Sequence, residues 1–80
     1  MKIQVIGMGC RKCVQLHENV LAALVQSDLS AEIEKVTELS LITAMGVFMT
    51  PALAIDGEVV FTGRVADVEE LVHILEDHAS

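Results

Sequence analysis

The 80-residue chain has no tryptophan, no tyrosine and two phenylalanines, Phe48 and Phe61. A core without large aromatic rings has to be built from Val, Leu, Ile, Ala and Met. Cations are scarce: five Lys and Arg stand against twelve Asp and Glu, for a net charge of −7. Gripping a phosphate backbone takes clustered Lys and Arg, so nucleic acid is excluded as a partner. No apolar run approaches the ~20 residues of a membrane span, which argues against a membrane partner. The amino terminus also lacks the long apolar stretch of a secretion signal, so a cytoplasmic location is expected. There is one proline, Pro51, and only two cysteines, Cys10 and Cys13. Repeats, linkers and low-complexity segments are missing. So are a phosphate-binding loop, a serine-nucleophile constellation and a paired-carboxylate motif of the hydrolase kind.

What remains is a strongly apolar chain, 52% hydrophobic, which excludes disorder. A chain of this size buries only about 60% of its unfolded surface, so its core is thin and needs that apolar content. One domain over residues 1–80 is expected, acting as a monomer.

Lys2 to Ile6 alternates polar and apolar residues and reads as a strand. A helix follows from about Cys10 to Gln26, carried by Val14, Leu16, Val20, Leu21, Leu24 and Val25. Ala31 to Val36 alternates again, and its charges suit a sheet edge. Thr37 is a plausible N-cap for a short helix over 38–44, with Leu39, Ile42 and Met45 on its buried side and Gly46 ending it. Ala52 to Ile55 and Glu58 to Phe61 flank Asp56-Gly57, a strong type I′ hairpin turn. Asp67 caps the last helix, with Glu70 three residues on completing a capping box. Val68, Leu71, Val72 and Leu75 mark the buried stripe of that helix. The order is β-α-β-α-β-β-α. A right-handed crossover and an antiparallel hairpin make it one mixed four-stranded sheet with helices on both faces, an α/β fold.

The chemistry is concentrated in Gly7-Met8-Gly9-Cys10-Arg11-Lys12-Cys13. The glycines let the strand turn sharply into the helix, and Cys10 falls at about the first helical position. Free N–H groups and the positive end of the helix dipole stabilise a thiolate there, and Arg11 and Lys12 add two cations. Cys13 lies one turn on, within reach of a disulfide. A disulfide closing so short a loop is a weak structural staple, about 2 kcal/mol at most. In a compartment where structural disulfides are rare, a reactive pair or a metal site is the better reading.

With Cys-x-x-Cys opening the first helix and Thr50-Pro51 leading into the third strand, the chain resembles the thioredoxin fold. It is most similar to small, glutaredoxin-sized redox-active disulfide proteins. The resemblance covers essentially the whole chain. It rests on Gly7 to Cys13, on Gly46-Val47, on Thr50-Pro51-Ala52-Leu53 and on Ile55-Asp56-Gly57. It implies a spatial strand order of 2-1-3-4 and a cis Thr50–Pro51 bond beside the cysteines. It also implies an activity, thiol–disulfide exchange without a cofactor, with Cys10 as nucleophile and Cys13 resolving. Arg11 and Lys12 would tune the thiol, and Thr50, Pro51, Met8 and Gly9 would meet the substrate. The implied partners are disulfide-containing proteins and an upstream reductase. Three departures stand out. Arg11-Lys12 replaces Gly-Pro between the cysteines, no tryptophan precedes them, and Gln4 stands where larger thioredoxins bury an acid that assists proton transfer.

A second reading is soft-metal carriage. Gly7 to Cys13 also resembles the G-M-x-C-x-x-C loop of copper-chaperone-like domains, and two thiolates suit Cu(I) or Zn(II). His17 is a conceivable third ligand and Met8 a soft one. Those domains run strand-helix-strand-strand-helix-strand, whereas a helical segment over 38–44 and a terminal helix are expected here. A third reading is a binding module whose cysteines are incidental.

Overall fold

A computed structural model describes residues 1–79. In chain order the elements are β1 (Lys2–Ile6), α1 (Arg11–Ser27), β2 (Glu32–Val36), α2 (Leu39–Ala44), β3 (Ala52–Ile55), β4 (Glu58–Thr62) and α3 (Val68–Ala79). The four strands lie in the order β2-β1-β3-β4. β1 runs parallel to β2 and antiparallel to β3, and β3 and β4 form the hairpin. The α/β architecture and strand order are those the sequence led us to expect.

Local chemistry accounts for the turns. Asp56 and Gly57 both have positive φ, 51° and 85°, as a type I′ turn requires. The Asp56 carboxylate also accepts from the Lys2 backbone N–H at 2.8 Å, tying the hairpin tip to the start of β1. Asp28 closes α1 in the left-handed region, its N–H shared between the Leu24 and Val25 carbonyls.

Apolar side chains leave the sheet in two directions. Ile3, Val5, Leu53 and Ile55 pack with Leu16, Val20, Leu71 and Leu75 from α1 and α3. Ile6, Ala52 and Ala54 face the other way and pack with Val36, Ile42 and Val47 around α2. All four residues of β3 are buried because it is covered on both faces.

The helices depart from expectation in their details. In α1 the buried stripe is Cys13, Leu16, Val20, Ala23 and Leu24. Val14, Leu21 and Val25 are exposed, because the apolar residues of this helix occupy two faces and only one meets the sheet. Glu38, not Thr37, is the N-cap of α2, and it makes no side-chain capping bond. Of the three apolar residues expected on its inner side, Ile42 is buried, Met45 is half-buried and Leu39 is exposed. A helix this short presents little more than one turn to the sheet.

At α3 the Asp67 carboxylate accepts from the Glu70 N–H at 2.8 Å, as a cap should. The Glu70 side chain does not complete the box. It takes two hydrogen bonds from the Arg64 guanidinium, which hold its carboxyl below the usual carboxylate range. Arg64 also stacks over the Phe61 ring, 4.5 Å from its centroid, clamping the end of β4 to the start of α3. Asp67→Ala should therefore cost about 1 kcal/mol, seen as a lower urea midpoint with an unchanged slope. Arg64→Ala should cost less, since exposed ion pairs contribute little.

Candidate active site

β1 ends at Ile6, and Gly7 extends its pairing by one bond, donating to the Val36 carbonyl at 2.9 Å. Met8 and Gly9 make the turn, Gly9 with φ of 83°, and α1 begins at Arg11. Cys10 is thus the N-cap of α1 and not its first helical residue. Its backbone is extended (φ −68°, ψ 167°), and its Sγ accepts the Cys13 backbone N–H at 3.2 Å. The sulfur does what a capping serine oxygen does, and as a thiolate it would do so with a full negative charge.

Cys10 and Cys13 are joined in a disulfide, with Cα atoms 5.0 Å apart. Their surroundings differ sharply: Cys10 is exposed, and Cys13 is 5% exposed. Cys13 is accommodated because Gly7 carries no side chain. A Cβ on Gly7 would fall inside the van der Waals envelope of Cys13 Sγ and only 3.2 Å from its Cβ. The sequence motif pointed to flexible glycines, and a steric role for Gly7 was not visible in it. The one available signal was a glycine directly after the strand, six residues before Cys13.

The same point on Gly7 lies 3.7 Å from the Thr50 Cβ, which brings the loop before β3 against the cysteine turn. The Thr50–Pro51 peptide bond is cis; Pro51 is buried and Thr50 exposed. The Pro51 carbonyl accepts from the Gly63 N–H at 2.8 Å, anchoring this loop to the end of β4. Met8 and Thr50 edge an open groove of about 470 Å³ that runs along α2 and is floored by Ile42 and Val47. Phe48 is 84% exposed at its rim, with exposed Met49 close by in the chain. Met8, Phe48 and Met49 thus leave exposed apolar side chains near the cysteine turn.

Arg11 and Lys12 occupy the exposed first turn of α1, which carries no acidic residue. Neither makes an ion pair among the described residues, whereas Lys2 pairs with Glu34 and Arg64 with Glu70. Gln4 donates to Glu34 at 2.9 Å and lines neither groove beside the cysteines. On the side of Cys13 away from α2 lies a second groove of about 280 Å³, lined in part by His17, Lys35 and Thr37. No three His, Cys, Asp or Glu side chains are gathered as metal ligands would be among the described residues, so Cys10, Cys13 and His17 form no three-ligand set. No described helix is long and apolar enough to cross a membrane.

The arrangement offers an exposed, helix-capping sulfur backed by a buried one. Gly7→Ala should displace Cys13 Sγ and cost about 1–3 kcal/mol, the range for overpacking a closed site. The reduced protein should tolerate it better than the oxidised one, because a free thiol can rotate away. Denaturation of both redox forms measures the difference.

Residues 1–76 match the model of the Thioredoxin domain family. The chain is 43% identical over 75 residues to a thioredoxin of Methanothermobacter thermautotrophicus, covering 94% of this chain and 97% of that protein. It is 42% identical over 76 residues to a thioredoxin of Methanocaldococcus jannaschii, covering 95% of this chain and 87% of that one.

Proposed function

The chain belongs to the thioredoxin family and is a thiol–disulfide oxidoreductase; from that premise we propose that Cys10 attacks and Cys13 resolves. The observation that carries the assignment is the unequal exposure of the two sulfurs. Only Cys10 is open to an incoming disulfide. Its thiolate is held by the Cys13 N–H and the positive end of α1, with Arg11 and Lys12 alongside.

In the first step the Cys10 thiolate attacks one sulfur of a target disulfide, and the other sulfur leaves as a thiolate. In the second, Cys13 attacks Cys10 Sγ, the mixed disulfide breaks and the second target sulfur leaves. Two electrons have passed from the dithiol to the target, and Cys10–Cys13 is oxidised. A reductase returns the electrons.

The substrate would lie across Met8, Gly9, Thr50 and Pro51. The exposed Thr50 backbone can pair with an extended segment as a short added strand, and the groove along α2 takes an apolar side chain next to the target cysteine. This favours protein disulfides as substrates. Activity in the reducing cytoplasm fits a chain whose two cysteines both lie in the motif.

Cys13→Ser should accumulate mixed disulfides through Cys10 when exposed to a disulfide-bonded protein, because a hydroxyl cannot resolve them. Cys10→Ser should trap little. Mass spectrometry of both variants, with metal content measured in the same preparations, checks this. Equal trapping by both, or stoichiometric metal lost equally from both, would favour soft-metal carriage through the same loop. The double change Arg11→Glu with Lys12→Glu should slow alkylation of reduced Cys10 at neutral pH by several-fold. An unchanged rate would show that the two cations are merely solvated.

A further inference from the structure

We infer that His17 takes the proton from Cys13 in the resolving step, across the groove behind the buried sulfur. The inference rests on the exchange reaction proposed above and adds to it a base. A thiol attacks as its thiolate, and burial in apolar surroundings opposes ionisation. Cys13 is 5% exposed, and its own N–H is given to Cys10 Sγ, so the helix start serves the other sulfur. Cys13 therefore needs a base on a side the substrate does not cover.

The second groove meets that need. It touches Cys13 between α1 and the ends of β1 and β2, apart from the groove along α2, and holds about 40 Å³ that water can occupy. His17 lies one turn beyond Cys13 on α1; residues so spaced have Cβ atoms about 5–6 Å apart, within reach directly or through one water. The ring is half-buried and makes no hydrogen bond or ion pair among the described residues. The titratable groups facing it are Cys13 on its own helix and Lys35 from β2; β1 contributes Val5 and Gly7, which carry none. No carboxylate lines the groove, and Gln4 points to Glu34. Among the lining residues the imidazole is the side chain with a ring nitrogen lone pair that can take a proton.

An imidazole nitrogen of His17 takes the Cys13 thiol proton, and the Lys35 ammonium offsets the charge left on sulfur. The thiolate forms a bond to Cys10 Sγ, and the bond from Cys10 to the target sulfur breaks. The electron pair leaves on that sulfur, which is protonated from solvent, and the imidazolium returns its proton to solvent through the groove mouth.

The test uses the reduced protein and 5,5′-dithiobis(2-nitrobenzoic acid) in stopped flow at neutral pH. Attack by Cys10 releases one coloured thionitrobenzoate, and closure by Cys13 releases a second. His17→Ala should slow the second release about 100-fold, the low end of general-base contributions. Free imidazole should restore it. His17→Gln, which keeps a polar side chain of similar size, should be slowed as much. An unchanged second release in both variants, or a slowed one that imidazole does not restore, would overturn the role of His17. Absence of the first release from the parent protein would instead overturn the exchange reading, and the two failures are read from separate phases.

Discussion

The sulfur of Cys13 occupies the space that a side chain at position 7 would fill. The site depends on that close approach. It sets how near α1 comes to the end of β1, and hence where the first turn of the helix begins. Cys10 then falls at the N-cap, with its sulfur bonded to the Cys13 N–H. The buried sulfur and the capping sulfur are two consequences of one packing constraint. Interiors packed at crystal-like density leave no slack for the pair to trade places.

The same junction divides the molecule into two working sides. Toward α2 lie Met8, Phe48 and the cis Thr50–Pro51 loop, an apolar and open surface. Toward β2 lie His17, Lys35 and Thr37, which with Val5 and Val14 line a recess against Cys13. A substrate bound as proposed on the first side would leave the second open to water. Electrostatics follow the same division. In a chain of net charge −7, the Lys and Arg side chains outside ion pairs among the described residues are Arg11, Lys12 and Lys35, all near the cysteines. Acidic side chains outnumber basic ones in the chain, so the unpaired positive charge is concentrated beside the cysteines.

A thin core tolerates this because its two halves are separate. The α1–α3 side holds the larger apolar cluster and anchors the carboxyl-terminal helix, with Asn19 of α1 donating to the Ala66 carbonyl at 3.0 Å. The α2 side is smaller, and its short helix leaves Leu39 and Leu41 in solvent. The groove proposed to meet substrate is built on this lightly packed side, where small adjustments disturb few buried contacts.

Local pattern was enough to determine the element order, the hairpin at Asp56-Gly57, the cap at Asp67 and the place of the cysteines at a strand-to-helix junction. These are short-range properties: turn residues with positive φ, capping chemistry and hydrophobic period act within a few residues of themselves. The tertiary structure decided everything that needed two distant segments. It chose which apolar face of α1 is buried, leaving Val14 and Val25 in solvent, because the sheet can cover only one. It drew the Glu70 carboxylate from its own helix cap to Arg64, since a bidentate guanidinium pair competes well with a single backbone N–H. It made Gly7 a steric necessity and set His17 and Lys35 on one groove, though they are far apart in the chain. The parallel pairing of β1 with β2 aligns Val5 with Lys35, and no local rule carries that register.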